Sequence, residues 1–261
     1  MDCVPCSRFS GFAGKADVPV LSIVIPAYNE GAFIGTLLER ILAVPVEGMG
    51  FDKELIVVND GSTDCTEEVA REFASRVAQI RCFTQVPNQG KGKAVQRGIK
   101  EATGDYILIQ DADLEYDPHD YLKLLARLGS ADVIYGSRTL GQLQRSDGLT
   151  LFPGRHPQQG AASWLAGVLL TLFTMLLYRR WITDTLTAYK LYPAAAVKAM
   201  KLRTSGFETD HEITARLIRM GLRIAEVPIE YDPRSVEQGK KIKASDGFLA
   251  VWTLLRFRFA D

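Results

Sequence analysis

Two carboxylates, Asp111 and Asp113, directly follow the apolar run Tyr106–Ile109. In extended backbone, residues i and i+2 project to the same side, so both can approach one hard cation at the end of a strand. Carboxylate oxygens suit Mg²⁺ or Mn²⁺, which keeps waters and bridges the oxygens of a diphosphate. The chemistry implied is stabilisation of a nucleotide leaving group. A D-x-D pair is common in unrelated chains. It gains weight here because Asp60, Asn88 and Lys91 fall in polar segments that follow other strand-like runs. Lys91 adds a cation for charge growing on a departing phosphate.

Something must hold these side chains on one edge. From Leu21 onward, short β-branched runs alternate with amphipathic segments: Leu21–Ile25, Glu54–Val58, Ile80–Thr84, Tyr106–Ile109 and Asp132–Tyr135 read as strands. Apolar residues at helical spacing lie between them, at Phe33-Ile34-Leu37-Leu38-Ile41-Leu42, at Val69-Phe73 and at Leu122-Leu125-Leu128. The alternation predicts an α/β fold with a mostly parallel central sheet flanked by helices. The strand ends carry Pro26-Ala27-Tyr28-Asn29-Glu30, Asn59–Asp64, Pro87–Lys93 and Gln110–Asp113. Taken singly, Asp60, Ser62 and Asp64 are ordinary turn and cap residues. Four polar ends on one edge instead predict a ligand site, because open sheets bind ligands where strand carboxyl ends and helix N-termini converge.

Composition sets limits. The chain has 261 residues, 47% hydrophobic and 24% charged, with 31 basic against 31 acidic side chains. That balance excludes disorder and gives no overall field for a polyanion. Cys3, Cys6, Cys65 and Cys82 are too few for a secreted disulfide framework and fit a reducing cytosol. Residues 1–19 read as a flexible tail, and positions 1–17 lack the apolar core of a signal peptide. Gln142–Gln159 reads as loop, and Ala161–Tyr178 is an uncharged helix followed by Arg179-Arg180-Trp181. A single crossing there would divide the chain across a bilayer, so an interfacial amphipathic helix is expected, with a buried core helix as the alternative. Downstream come a helix over Asp210–Met220, a strand over Ile224–Glu230, a basic loop over Arg234–Lys243 and an amphipathic helix over Phe248–Phe259. The basic loop reads equally as a solvated face or as an anion-binding lid.

At this point the chain resembles the inverting family 2 glycosyltransferases, and within them the polyprenyl-phosphate sugar synthases. The resemblance rests on Ile25–Glu30, Val57–Asp64, Asn88–Ala94, Gln110–Glu115 and Gly136-Ser137-Arg138. Farther on it takes in Thr183-Asp184, Tyr189-Lys190, Gly206-Phe207-Glu208 and Glu226–Ile229. It implies a glycosyltransferase A-type fold with C-terminal amphipathic helices, a nucleotide-sugar region over 20–140 and an acceptor and membrane region over 141–261. It implies donor binding by Pro26, Tyr28, Glu30, Asp60, Asn88, Lys91, Gln110, Asp111, Ala112 and Asp113. The metal would sit on Asp111 and Asp113, with Glu115 as a third contact. Arg138, Arg234, Lys240 and Lys241 would bind an acceptor phosphate, because a guanidinium can bond two oxygens of one phosphate. The implied partners are a nucleotide sugar, GDP- or UDP-linked, a polyprenyl phosphate and the inner membrane face, touched peripherally through 161–181, with a membrane-anchoring protein as a further partner.

Two acceptors remain open. A phosphomonoester, with a second pKa of about 6, attacks without a general base. A glycan or lipid hydroxyl needs one, which the Glu208, Asp210, His211 and Glu212 cluster could supply, making Asp210 a catalytic candidate beside Asp111, Asp113 and Arg138. Other classes fit less well. A pyrophosphorylase wants a Gly-rich, Arg-containing loop after the first strand, an aspartyl phosphatase wants its D-x-D there, and a dinucleotide dehydrogenase wants G-x-G-x-x-G after Ile25. A catalytically dead membrane-binding module would not need the paired carboxylates.

Overall fold

The computed structural model describes residues 18–145, 154–156, 161–233 and 244–259. Within them runs a seven-stranded sheet: β1 (Val20–Ala27), β2 (Asp52–Asn59), β3 (Ile80–Thr84), β4 (Tyr106–Ile109), β5 (Val133–Ser137), β6 (Lys190–Pro193) and β7 (Ile224–Pro228). Their order is β3-β2-β1-β4-β6-β5-β7, and every pairing is parallel except those of β6 with β4 and β5.

The central strands are apolar on both faces because helices cover both. Leu21, Ile23 and Ile25 of β1 pack into one core with Leu55, Val57 and Leu108, whereas Val24 packs into a second with Ile56, Val58, Ile107 and Ile109. The first core is closed by α1 (Ile34–Ala43), α2 (Thr66–Arg76) and α4 (Tyr121–Ala126), the second by α3 (Lys91–Glu101), α7 (Ala194–Lys198) and α8 (Thr209–Arg219). Gly98 lets α3 lie against β1, since a Cβ there would run into Val24.

A third, smaller core joins α6 (Ala161–Tyr178) to α8 and α9 (Ala244–Phe259) through Leu170, Tyr178, Ala215, Ala250, Leu254 and Phe257. The remaining helix, α5 (Arg138–Arg145), occupies part of the stretch expected to be loop from Gln142 onward. Gly141 explains it: a side chain there would collide with the Ile229 backbone, so this helix seats tightly beside β7. The short β6 was not anticipated as a strand, and the start of α3 lies inside the polar segment read as loop.

Topology places the site. From β1 the chain moves outward to β2 and β3, then returns to the other flank of β1 as β4, which pairs Val24 with Ile109. The crevice between β1 and β4 is therefore a switch point, with Pro26-Ala27 and Asp111–Asp113 leaving the sheet side by side.

Candidate active site

A cleft of about 280 Å³ opens at this switch point, lined by Pro26, Ala27, Tyr28, Glu30, Asp60, Asn88, Gly90, Lys91, Ala94, Asp111, Ala112, Asp113, Glu115, Phe207 and Tyr231. Nine of the ten positions expected to bind donor lie on its wall. The tenth, Gln110, is turned into the core: its Oε1 accepts hydrogen bonds from Tyr121 Oη at 2.5 Å and Tyr189 Oη at 2.7 Å, and its Nε2 donates to the Asp111 carbonyl at 2.9 Å. Two buried tyrosines saturate the amide oxygen, so Gln110 holds the strand end instead of facing a ligand.

Asp60 is buried beneath the cleft. Its Oδ1 accepts from Gln89 N at 2.8 Å and Gln85 Nε2 at 2.5 Å, and its Oδ2 accepts from Gly90 N at 2.8 Å. This carboxylate shapes the loop that leads into Lys91. Gly90 has φ of +94°, a region L side chains avoid, and any Cβ would also strike the Ser205 carbonyl. The Ser205 carbonyl in turn accepts from Gly92 N at 2.7 Å, anchoring the start of α3.

Lys91 projects from that start. Its Nζ lies 2.5 Å from Asp111 Oδ1 and 3.9 Å from Asp210 Oδ2, and 5.4 Å from the Phe207 ring centroid. Burial opposes its charge, but Asp111, Asp210 and Asp113 outweigh burial and raise its pKa, so Lys91 is a fixed cation. Asp113, beside it, accepts from Glu115 N at 3.2 Å. Glu115 accepts from Tyr231 Oη at 2.7 Å. Among the described residues no group of three or more His, Cys, Asp or Glu side chains forms a metal cage. The expected trio of Asp111, Asp113 and Glu115 is therefore not gathered, because Glu115 is engaged by Tyr231. Two hard carboxylates opening onto a lysine-lined cleft nonetheless fit a cation whose other ligands come from diphosphate and water.

The acidic cluster over 208–212 separates into distinct roles. Glu212 is fully buried, accepts from the backbone of Arg203 and Thr204 and from Thr204 Oγ1, and pairs with Arg216 at 2.8 Å. Glu208 accepts from Ser205 N and Gly206 N. His211 is buried, and burial followed by the nearby Lys190 charge lowers its pKa to about 4, so its ring is neutral. Asp210 stands behind Lys91, with Lys190 Nζ 3.4 Å away. Burial works against its charge, but Lys190 and Lys91 prevail and lower its pKa. It does not line the cleft.

Arg138 also stands off the cleft, under the Tyr231 ring at 4.9 Å. Its backbone N, Nε and Nη2 all donate to the Asp184 carboxylate, at 3.0, 2.7 and 2.8 Å. Glu226 accepts in turn from Thr183 N, Thr183 Oγ1 and Asp184 N. Arg234, Lys240 and Lys241 lie outside the described residues. Sequence reasoning missed Tyr231, whose only signal was an aromatic just beyond a strand-like run.

Residues 22–183 match the family described as Glycosyl transferase family 2. The chain is 32% identical to a low-salt glycan biosynthesis hexosyltransferase of Haloferax volcanii, over 93% of its own length and 54% of that protein's. It is 29% identical to a dolichyl-phosphate beta-glucosyltransferase of Trichomonas vaginalis, over 86% of this chain and 68% of the relative. A dodecaprenyl-phosphate galacturonate synthase of Rhizobium johnstonii shares 34% identity over 70% of this chain and 50% of the relative. The chain thus spans little more than half the length of some curated relatives. In fold it is similar to glucosyl-3-phosphoglycerate synthase of Mycobacterium tuberculosis in complex with Mn²⁺, UDP and glucosyl-3-phosphoglycerate. The TM-score is 0.65 at 21% identity, covering 93% of this chain and 81% of that one. With a match across most of the sheet and the motif residues gathered at its switch point, the chain belongs to glycosyl transferase family 2.

Proposed function

We propose that this protein is a metal-dependent, inverting hexosyltransferase that moves a sugar from a nucleotide sugar to a polyprenyl phosphate at the cytoplasmic membrane face. The observation that carries the acceptor assignment is the state of Asp210. A carboxylate held between Lys91 and Lys190, with its proton affinity lowered, is a weak base, and neutral His211 does not line the cleft. A hydroxyl acceptor would need such a base, whereas a phosphate dianion attacks without one. Two of the relatives named above carry polyprenyl-phosphate acceptors in their names, which supports the same reading.

The roles follow from charge and position. Pro26, Tyr28, Glu30 and Asn88 form the donor-facing wall, with Asp60 holding the loop that presents Lys91. Asp111 and Asp113 would hold Mg²⁺ or Mn²⁺, which when bound neutralises charge developing on the leaving diphosphate. Lys91 supplies a second positive charge on the same side and exchanges Asp111 for phosphate oxygen when donor enters. Arg138 is held by Asp184 with about a fifth of its side chain exposed, and it would meet the acceptor phosphate together with Arg234, Lys240 and Lys241.

Membrane contact is supported by the outer faces of α6 and α9. Leu165, Leu169, Leu172 and Leu176 on one helix, and Phe248, Trp252 and Phe259 on the other, are exposed, with Trp181, Arg179 and Arg180 at the edge. Among the described residues no helix is long and apolar enough to cross a membrane.

The test is a donor and acceptor screen with purified protein, Mg²⁺ or Mn²⁺, radiolabelled UDP- and GDP-sugars and a short polyprenyl phosphate in detergent. Label entering the organic phase only when metal and lipid are both present is the expected result. Donor hydrolysis with no labelled lipid would reject the phosphate acceptor and return attention to hydroxyls.

A further inference from the structure

A second cleft, of about 210 Å³, lies between the 203–208 segment and α9, and it is lined by Arg203, Ser205, Glu208, Trp252, Thr253 and Arg256 among others. Its arginines differ from those that are tied to carboxylates elsewhere in the fold. Arg138, Arg216 and Arg81 are each paired with a carboxylate, at 2.7, 2.8 and 2.7 Å. Among the described residues, neither the Arg203 nor the Arg256 guanidinium meets one; Arg256 only overhangs the Phe257 ring at 5.3 Å. The one carboxylate in the wall, Glu208, is already occupied by the backbone N–H groups of Ser205 and Gly206. The Ser205 side chain and Thr253 add hydroxyls. Two unpaired guanidiniums with hydroxyl donors make a phosphate-binding set. The rim settles the source of the phosphate, because Leu249 and Trp252 line this cleft and are also 42% and 59% exposed on the apolar face of α9.

We propose that this cleft binds the phosphate of an anionic lipid headgroup while the apolar rim of α9 enters the bilayer, a site separate from the nucleotide cleft. The proposal rests on the membrane-contact reading above. It also joins the two clefts mechanically. Ser205, in the wall, accepts from Gly92 N at 2.7 Å and Thr204 accepts from Gln96 Nε2 at 2.6 Å, so the backbone under the lipid phosphate is the backbone that anchors the Lys91 end of α3.

The experiment is co-sedimentation of the full chain with vesicles of phosphatidylcholine alone or mixed with phosphatidylglycerol. Adding the anionic lipid should tighten wild-type binding by roughly tenfold or more, the increment expected of two arginines near a charged surface. The R203Q/R256Q variant should lose most of that gain, keeping only what Arg179 and Arg180 contribute, and still bind neutral vesicles as wild type does. R76Q/R223Q, which removes the same charge from a remote exposed surface, should keep it. Equal binding of wild type and R203Q/R256Q to anionic vesicles would overturn the site alone, as would an equal loss in R76Q/R223Q. A wild type that ignores both vesicles would overturn membrane contact itself. Inorganic phosphate titrated by calorimetry provides the last arm: binding to wild type but not to R203Q/R256Q, with vesicle binding the same for both, would assign the cleft to a soluble phosphate and overturn the lipid.

Discussion

At the cleft, Lys91 meets Asp111 through a single oxygen and has Asp210 behind it at 3.9 Å. On the other side of Tyr231, Arg138 meets Asp184 through a backbone N–H and two guanidinium nitrogens, and Glu226 fixes the backbone that carries Asp184. Both pairs are withdrawn from solvent, but the first has one bond and several competing anions, whereas the second is bidentate and braced. A one-bond pair can exchange partners when a diphosphate arrives. A braced pair cannot do so without leaving a buried charge exposed to apolar surroundings. The comparison teaches that charge content alone does not tell which cation can change partners and which can only add one; the number of bonds each charge has already made does.

The sharpest break of this comparison is at the carboxylate pair. Asp113→Ala should lower transfer by about 10³-fold or more while leaving the far-ultraviolet circular dichroism and melting point near wild type, since several kcal/mol of charge stabilisation would depend on the proposed metal. Chelation of divalent cations should have the same effect on wild type, and undiminished turnover after chelation would remove the metal from the scheme. Lys91→Ala comes next, with a fall of about 10² to 10³ in kcat from loss of one fixed charge at the leaving group. A drop in donor affinity alone, with kcat intact, would make Lys91 a binding residue only. Asp184→Asn reverses the pattern. Breaking the braced pair should cost about 3 kcal/mol of unfolding free energy, measured by urea denaturation. If Asp184→Asn unfolded like wild type, the contrast between the two pairs would not hold.

Much of this was legible beforehand for a physical reason. The strands β1, β2, β4 and β5 are buried over most of their length, so they read as apolar, largely β-branched runs, and the polar residues at their ends had little structural reason to be so numerous. Asp111, Asp113, Lys91 and Asp60 could be read because their positions follow from strand ends. β6 escaped notice because its four residues, Lys190–Pro193, include a fully buried lysine whose Nζ reaches the Thr185 carbonyl and Asp210, a pattern that no hydrophobic periodicity marks. The inward contacts of Gln110 could not be read, because Tyr121, 11 residues on, and Tyr189, 79 residues on, meet its amide only in the folded chain. Tyr231 and the separation of roles among Glu208, Asp210 and Glu212 likewise depend on contacts that only the folded chain creates.

The smallest expected effect concerns His211, the neighbour of Asp210 that takes no part in either pair. Its folded pKa is about 4, against an unfolded value near 6.5, because burial and the Lys190 charge disfavour the imidazolium, with Asp210 only partly compensating. The unfolded chain therefore binds the proton more readily than the folded one. The stabilisation from keeping this ring neutral is fully present above about pH 6.5 and is lost as the pH falls from there through 4, amounting to roughly 2 to 3 kcal/mol over that window. Asp210, whose folded pKa is lowered, loses its contribution only at still lower pH, below the ordinary carboxylate range. A His211→Gln variant should consequently show a flatter stability profile than wild type between pH 7 and 4.5 in urea titrations, whatever its stability at neutral pH. Parallel profiles would mean that the ring takes up its proton as readily in the folded chain as in the unfolded one, so that Asp210 would face a third cation beside Lys91 and Lys190 only below about pH 6.5. That result would weaken still further the capacity of Asp210 to act as a base at acid pH, and would leave the Lys91 and Arg138 pairs as they stand at neutral pH.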